Sequence, residues 1–589
     1  MSYSAPTKQM QFLLDHVVGM ADVAALPGFE DATPDIVSAI LEEAGKFASD
    51  VLAPINWDGD QQGAAWSEDG VTTPDGWKDA YQQFTDSGWN SLAFGAEFGG
   101  QGMPGLLSAA VQEMWHSSNM AFGLCPLLTQ GAVHAIESHG SDDLKQLYLE
   151  KMISGEWTGT MNLTEPQAGS DLAAVRATAE PQGDHFLVKG QKIFITYGDH
   201  DMTDNIIHLV LARTPDAPAG VKGISLFLVP KFLLNDDGTP GARNDARCVS
   251  IEHKLGIHAS PTCVMSFGDN DSAVGYLVGE ENRGLMYMFT MMNQARLAVG
   301  IEGYAVAEMA YQQALAFSRD RKQGPVLLGK DSGEEGIVNH PDVRRMLMTM
   351  RSQVEAARVM AYDCAASFDF SDHHADDETR ARFQRRGELL TPIVKGWSTE
   401  VGVEMCSLGV QIHGGMGFIE ETGAAQHLRD CRITPIYEGT TGIQANDLLG
   451  RKTLHDGGQA VDELLDDMRN TQEALGASGN SAAPSAKAAL GDTIEMISAV
   501  SKKLIEQQNP TIAAAAATDY LMMMGYATGS WAMSRIVLAT ENSDDKEFVS
   551  LQLALANFYF DKIAPHARAH YLAIENSAAD YYEIDQAIL

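Results

Sequence analysis

Residues 34 to about 157 carry apolar positions three and four apart, as in Ile36, Val37, Ile40, Leu41, Ala44, Phe47 and Ala48, and this spacing predicts helices with one buried face. Between about 161 and 278 the pattern changes. Short runs rich in β-branched and aromatic residues, at 185–188, 192–196, 205–212, 223–229 and 262–267, alternate with turn residues and predict strands of a β-barrel or two-sheet domain. Residues 188–191 read as a hairpin turn between the first two strands. After Gly284 the helical period returns, with Leu297, Ile301, Tyr304, Tyr311 and Leu315 on one face of a long helix. Residues 475–485, rich in Gly, Ser, Ala and Asn, have linker composition. The apolar stretch 511–533, interrupted by Asp519, reads as a buried helix pair. The expected domains are an amino-terminal helical domain (1–157), a middle β-domain (158–284), a helical bundle (285–455) and an extra carboxy-terminal helical domain (456–589).

Charge narrows the function classes. Asp and Glu number 79 against 41 Lys and Arg, a net of -38; such a surface repels phosphate backbones and anionic lipid, so neither nucleic acid nor a membrane is expected as partner. A diffuse acidic surface is equally an adaptation to salt. The amino terminus lacks a basic segment followed by an apolar one, and six scattered cysteines show no metal spacing; both point to a cytoplasmic protein with reduced thiols.

Several segments could carry chemistry. Gly100-Gln101-Gly102-Met103-Pro104-Gly105 satisfies the three-glycine dinucleotide fingerprint, but its helical surroundings and internal Pro104 favour a tight inter-helix turn. Leu163-Thr164-Glu165-Pro166-Gln167-Ala168-Gly169-Ser170-Asp171 is either an ordinary Pro/Gly turn or a set of hydroxyls and backbone N–H groups that could hold the polar edge of a heteroaromatic ring. Gln411-Ile412-His413-Gly414-Gly415 offers paired glycines that let a phosphate or ribose approach the backbone. Glu438, followed by Gly439 and Thr440, sits in a loop between helical stretches, where a lone carboxylate is ordinarily a solvated charge. The acidic, His-containing run 372–378 reads as an exposed turn, although it could be imagined to bind metal; no metal site is expected.

Taken together and in order, these segments resemble the acyl-CoA dehydrogenase family over roughly residues 80–455. Glu97 to Gly102, residues 192–196, Gly279-Glu280-Glu281-Asn282-Arg283-Gly284, Arg296, Arg321-Lys322 and Tyr437-Glu438-Gly439-Thr440-Thr441 complete the set. The resemblance implies FAD as cofactor, bordered by Met161, Leu163, Thr164, Gly169 and Ser170 and covered on one side by Phe194 and Thr196. It implies that Arg321, Gln411, Gly414 and Gly415 reach the FAD of a neighbouring subunit, so that a homodimer completes the site, and that Thr440 touches the flavin. Ser170, the turn from Asn293 to Arg296, and Gly439 match positions that contact the acyl-CoA thioester. Glu438 matches the base that removes the α-proton. Hydrogen bonds to the thioester oxygen, from the Glu438 backbone N–H and a flavin ribityl hydroxyl, would stabilise the enolate; the β-hydride would pass to flavin N5, and an electron-transfer flavoprotein is the implied electron acceptor.

The chain also departs from the family pattern. Gln323-Gly324 replace aromatic character after the Arg-Lys pair and an insertion follows to about Gly336; Gly442 replaces an adenosine-contacting side chain and Pro341 a common glutamine. The added carboxy-terminal segment resembles a longer bacterial branch that includes enzymes of sulfur-compound breakdown. An acyl-CoA oxidase shares the fold and the glutamate. A DNA-associated flavoprotein of the same fold needs a basic tail, whereas Asp462, Glu463, Asp466, Asp467 and Glu473 make this one acidic.

Overall fold

The computed structural model describes residues 2–325 and 336–577; the expected insertion after Gln323-Gly324 lies largely outside the described residues. The chain divides into two compact units. The first holds Ser2, 46–103 and 118–295; the second holds 3–45, 104–117 and the described residues from Arg296 onward.

The first unit is built on an eight-stranded sheet of β1 (Trp157–Asn162), β2 (Thr178–Gln182), β3 (His185–Thr196), β4 (Asn205–Ala212), β5 (Ser225–Pro230), β6 (Ala246–Ile251), β7 (Thr262–Phe267) and β8 (Val274–Leu277). Strand order is β6-β7-β3-β8-β5-β4-β1, with β2 also on β3. Among the described strand pairs of this sheet, β1 and β4 run parallel and the others antiparallel. Every residue of β4 is buried, which suits its near-continuous apolar sequence. Val188, Val210, Phe227, Val229, Met265 and Phe267 meet in the core.

One sequence expectation fails here. No hairpin turn falls at 188–191, because β3 runs unbroken through it, pairing with β2 and β8 in its first half and with β7 in its second. Gly190 bends the strand at φ 150°, where an added Cβ would lie 2.8 Å from Ala177. A glycine inside a strand marks a bend or close approach as readily as a turn.

The second unit is helical. Gly105–His139 (α1) breaks at Asn119, close to where the chain passes from the second unit to the first. Gly284–Asp320 (α2), Pro341–His373 (α3) and Asp377–His413 (α4) are long helices, followed by the short Ala424–Cys431 (α5) and Thr441–Asn446 (α6), then Gln459–Ala477 (α7), Ala483–Gln507 (α8) and Pro510–Ala539 (α9). The acidic run 372–378 is the joint between α3 and α4, where Asp376 caps α4 by accepting from the Thr379 N–H.

Two further expectations change. The apolar stretch 511–533 is one helix, α9, not a pair; Asp519 does not break it and instead meets His570. The supposed linker shrinks to a turn between α7 and α8, pinned where Asn480 Nδ2 donates to the Val537 carbonyl and the Thr540 hydroxyl. The carboxy-terminal helices pack as part of the second unit. Glycines let them approach: a Cβ at Gly525 of α9 would lie 2.2 Å from the Trp397 ring of α4, and one at Gly396 would lie 2.6 Å from Leu521.

The sign of one substitution follows. Helix propensity alone would make Gly525→Ala stabilising by about 1 kcal/mol, but displacing a buried indole costs about 1–3 kcal/mol and must also cancel that gain. Gly525→Ala should therefore lower the urea midpoint; an unchanged or raised midpoint would show that Trp397 yields freely.

Candidate active site

In the first unit, β1 ends in the segment 161–171. Met161 and Thr164 are half-buried, Leu163 is buried, and Gly169 and Ser170 are exposed. The turn is held from beneath by a buried ion pair. Lys192 Nζ donates to Glu165 Oε1 at 2.8 Å and to the Leu163 carbonyl at 3.0 Å. Glu165 also accepts the N–H groups of Arg176 and Ala177. Burial pushes the Lys192 ammonium down to about 8 against the pull of Glu165. Burial alone would raise Glu165, but Lys192 and the two N–H groups outweigh it and hold the carboxyl below its usual range. The Ile193 N–H donates to the Thr164 carbonyl at 2.9 Å, so β3 delivers Phe194 and Thr196 beside the same turn. Phe194 is 59% exposed and left-handed at φ 61°, an uncommon combination for a large aromatic residue.

In the second unit, Glu438 lies between α5 and α6, itself left-handed at φ 54° and followed by Gly439 at φ 91°. Such a conformation costs a non-glycine residue about 1–2 kcal/mol and persists only where surroundings impose it. Here they do. Gln444 Nε2 donates to the carbonyls of Glu438 and Gly439, each at 3.2 Å, and Lys395 Nζ donates to the Gly439 carbonyl at 2.7 Å. The Tyr437 hydroxyl donates to Glu302 on α2. Thr440 caps α6 by accepting from the Ile443 N–H.

Charges complete this neighbourhood. Burial raises Glu438 to about 7, opposed by the cations Arg296 and Lys395. Glu302, wholly buried, is raised to about 8 by burial, with the Tyr437 hydrogen bond acting against it and the Glu438 charge acting with it. Arg296 pairs with Asp447 at 3.2 Å. A carboxyl near neutrality is matched to proton transfer at physiological pH.

The remaining sequence-derived positions sort by unit. Asn293 is exposed and Arg296 buried, and they lie within α2 rather than in a turn, because the apolar residues around them continue its helical period without a break. Arg321 follows the end of α2, its N–H on the Phe317 carbonyl, and Phe317 packs against His413 with ring centroids 4.4 Å apart. That contact sets Arg321 near the end of α4, where Gln411, Gly414 and Gly415 are exposed. Gly442 lies in the first turn of α6, and Pro341 begins α3. Sequence reasoning gave Lys192 no role beyond its place in the 192–196 signature and passed over Lys395, Glu302, Gln444 and Asp447. For Lys395 a signal existed: Pro392-Ile393-Val394-Lys395-Gly396-Trp397 sets a single charge in an apolar run.

The residues fit a dinucleotide-linked planar cofactor. In the first unit an added Cβ at Gly169 would meet nothing within 4 Å, so that backbone stands open to a ligand, and Phe194 follows the residue bonded to Thr164 in the same turn; in the second unit the backbones of Gly414 and Gly415 are open in the same way.

Four family models run along this chain: acyl-CoA dehydrogenase N-terminal domain at 36–156, middle domain at 160–270 and C-terminal domain at 282–453, then acetyl-CoA dehydrogenase C-terminal like at 455–585. The protein belongs to the acyl-CoA dehydrogenase family and is an oxidoreductase of that class. A 3-methylmercaptopropionyl-CoA dehydrogenase of Ruegeria pomeroyi is 47% identical over 584 residues, 98% of each chain. A butyryl-CoA dehydrogenase of Syntrophomonas wolfei is 34% identical over 96% of this chain and 95% of its own. The crystal structure of an acyl-CoA dehydrogenase complexed with FAD from Bacillus anthracis shares the fold, with TM-score 0.73 and 22% identity over 96% of this chain and 92% of that one.

The buried pair beneath the first unit's turn is open to a direct test. Lys192→Met strands the Glu165 carboxyl in the interior, and breaking a buried pair in this way costs about 3–5 kcal/mol. A urea midpoint within error of the parent protein would remove the pair from the list of things that hold the turn.

Proposed function

We propose that this protein is an FAD-dependent dehydrogenase of acyl-CoA thioesters in which Glu438 is the base. The observation that carries the reading is Glu438 itself: a carboxyl raised to about 7 by burial, on a left-handed residue whose own carbonyl and its neighbour's are hydrogen-bonded in place. Such a group can take a carbon-bound proton that a carboxylate in water takes far too slowly, since burial raises its proton affinity and the fixed loop removes the cost of orienting it. Glu438 accepts the α-proton, and its backbone N–H serves the thioester oxygen as charge develops there. FAD, when bound, supplies the acceptor for the β-hydride, and the product is the trans-2-enoyl thioester.

Met161, Leu163, Thr164, Gly169, Ser170, Phe194, Thr196 and Thr440 are the proposed flavin-facing residues. Arg321, Gln411, Gly414 and Gly415 are proposed to reach the cofactor of a second copy in a homodimer. Asn293, Ser170 and Gly439 are proposed substrate contacts. For Arg296 the buried pairing with Asp447 supports a role in setting the charge around Glu438 alongside any contact with the thioester.

The acyl group we favour is 3-methylmercaptopropionyl, oxidised to methylthioacryloyl-CoA in dimethylsulfoniopropionate breakdown, with an electron-transfer flavoprotein as acceptor. Its support is the relative that is 47% identical end to end. A butyryl substrate is the alternative that the 34% relative favours. Anaerobic bleaching of the bound flavin decides between them: 3-methylmercaptopropionyl-CoA should reduce it faster than butyryl-CoA, and the reverse order would transfer the assignment. Stoichiometric peroxide in air would make the protein an oxidase.

Glu438→Gln should keep its flavin yet reduce it at least about a thousandfold more slowly, in the range that loss of a general base allows, because an amide cannot accept the proton. Reduction at an ordinary rate would dismiss Glu438 as the base.

A further inference from the structure

Behind the Glu438 loop, Lys395 is wholly buried on α4. A buried ammonium is expensive and is retained only where hydrogen bonds and opposite charge compensate it. Its hydrogen bond to the Gly439 carbonyl, at 2.7 Å, does not by itself account for a charge. Gln444 already donates to that carbonyl at 3.2 Å, and a neutral donor on α4 would do the same without the cost of desolvation. What only a cation adds is the field on the carboxyls it faces, Glu438 and Glu302.

Other charged groups share the neighbourhood. Arg296 acts on Glu438 as well, and more strongly than Lys395, but it also pairs with Asp447, which holds Arg451 at 2.8 Å; Lys395 is bonded to the turn itself, at the Gly439 carbonyl. Glu302 accepts the Tyr437 hydroxyl and is raised to about 8, so near neutral pH it is protonated and leaves the Lys395 charge uncancelled. Glu400 binds the Thr441 hydroxyl at 2.5 Å and acts on Lys395 only weakly, behind Glu438, Glu302 and Arg296.

We propose that Lys395 is a positioning residue for Glu438: its ammonium ties down the Gly439 carbonyl behind the left-handed turn and sets the pH range in which the Glu438 carboxyl is ionised and able to accept a proton. The proposal rests on Glu438 being the base. The sign follows from the charge. A cation favours the carboxylate, so removing it raises the proton affinity of Glu438 and moves the acid limb of the rate profile to higher pH.

The test is anaerobic stopped-flow reduction of the full-length, flavin-loaded protein by 3-methylmercaptopropionyl-CoA and by butyryl-CoA across pH. Lys395→Gln keeps a donor for the carbonyl and loses the charge; its acid limb should move up by about one pH unit, the size of shift a close charge produces. Lys395→Arg restores the charge on a differently shaped group; its limb should return to the parent position while its limiting rate stays at least about fivefold low, as expected of a misplaced catalytic loop. A Lys395→Gln profile that is merely lower, with its limb unmoved, overturns the proposal, because a purely structural lysine would do just that. If Lys395→Gln does not fold, Lys395→Arg decides alone: a displaced limb or a parental limiting rate overturns the proposal. Glu438→Gln in the same series separates the two ideas. Should it still reduce flavin, the base is elsewhere. Should it be inactive while the Lys395→Gln limb stays in place, the base stands and the role of Lys395 falls.

Discussion

The close crossing of α2 and α4 is the constraint on which the Glu438 site depends. At Gly303 and Gly402 the two backbones nearly touch: a Cβ at Gly402 would lie 2.3 Å from the Gly303 carbonyl oxygen, and one at Gly303 would lie 2.7 Å from the Ser398 carbonyl oxygen. At Gly300 a Cβ would be 2.6 Å from Val394. Only glycine permits such an approach, and its entropic cost in a helix interior, about 1 kcal/mol per position, is offset by what the approach allows. Glu302 and Lys395 sit next to these contacts in sequence, on facing helices, and so both reach the one loop that carries Tyr437, Glu438 and Gly439. Helices at the usual separation of about 8–10 Å would set the two side chains too far apart to grip the same three residues.

The same unit contains a second buried charge cluster that behaves differently. Arg358 donates through Nε and both terminal nitrogens to Glu113, Glu308 and Glu355, while Tyr304 and Tyr362 donate to Glu113. A guanidinium that donates from all three of its nitrogens to three carboxylates ties α1, α2 and α3 together. Around Glu438 the balance differs. Carboxylates hold the Arg358 guanidinium charged, whereas burial pushes the Lys395 ammonium down and the Glu438 and Glu302 carboxyls up, so protonation can change there.

The legibility of the sequence varied with how local the cause was. Strand limits at 205–212 and 262–267 coincide with β4 and β7, because apolar runs bounded by turn residues are a local signal. The bend at Gly190, the unbroken α9 and the packing of Trp397 over Gly525 depend on partners far along the chain, and no window of sequence contains them. Glu438 became visible only through the order of several motifs, since by itself it is a loop carboxylate like many others. Lys395 and Glu302 stayed hidden for a different reason. A charge on a helix reads as a solvated face, and that reading fails only where the helix has no solvated face to offer, as along α4 between Gly387 and Thr399, which is buried almost throughout.

Both units arrive at the same local solution. In the first, Phe194 is left-handed, and the strand just before it is fixed by the Ile193 N–H on Thr164 and by Lys192 on the Leu163 carbonyl. In the second, Glu438 is left-handed, and the residue just after it is fixed by Lys395 on the Gly439 carbonyl. Each device uses a buried lysine whose ammonium is pushed down to about 8, bonded to a backbone carbonyl and facing a carboxylate. The lysine's length explains the choice: it reaches from a packed strand or helix to a loop carbonyl while its stem fills the core. Strain at a loop residue needs an anchor that the loop itself cannot provide, and a charged donor in a low-dielectric interior is a strong one. The two left-handed residues are thus held by the rigid sheet and helix behind them, which is how a loop acquires the precision of the scaffold that carries it.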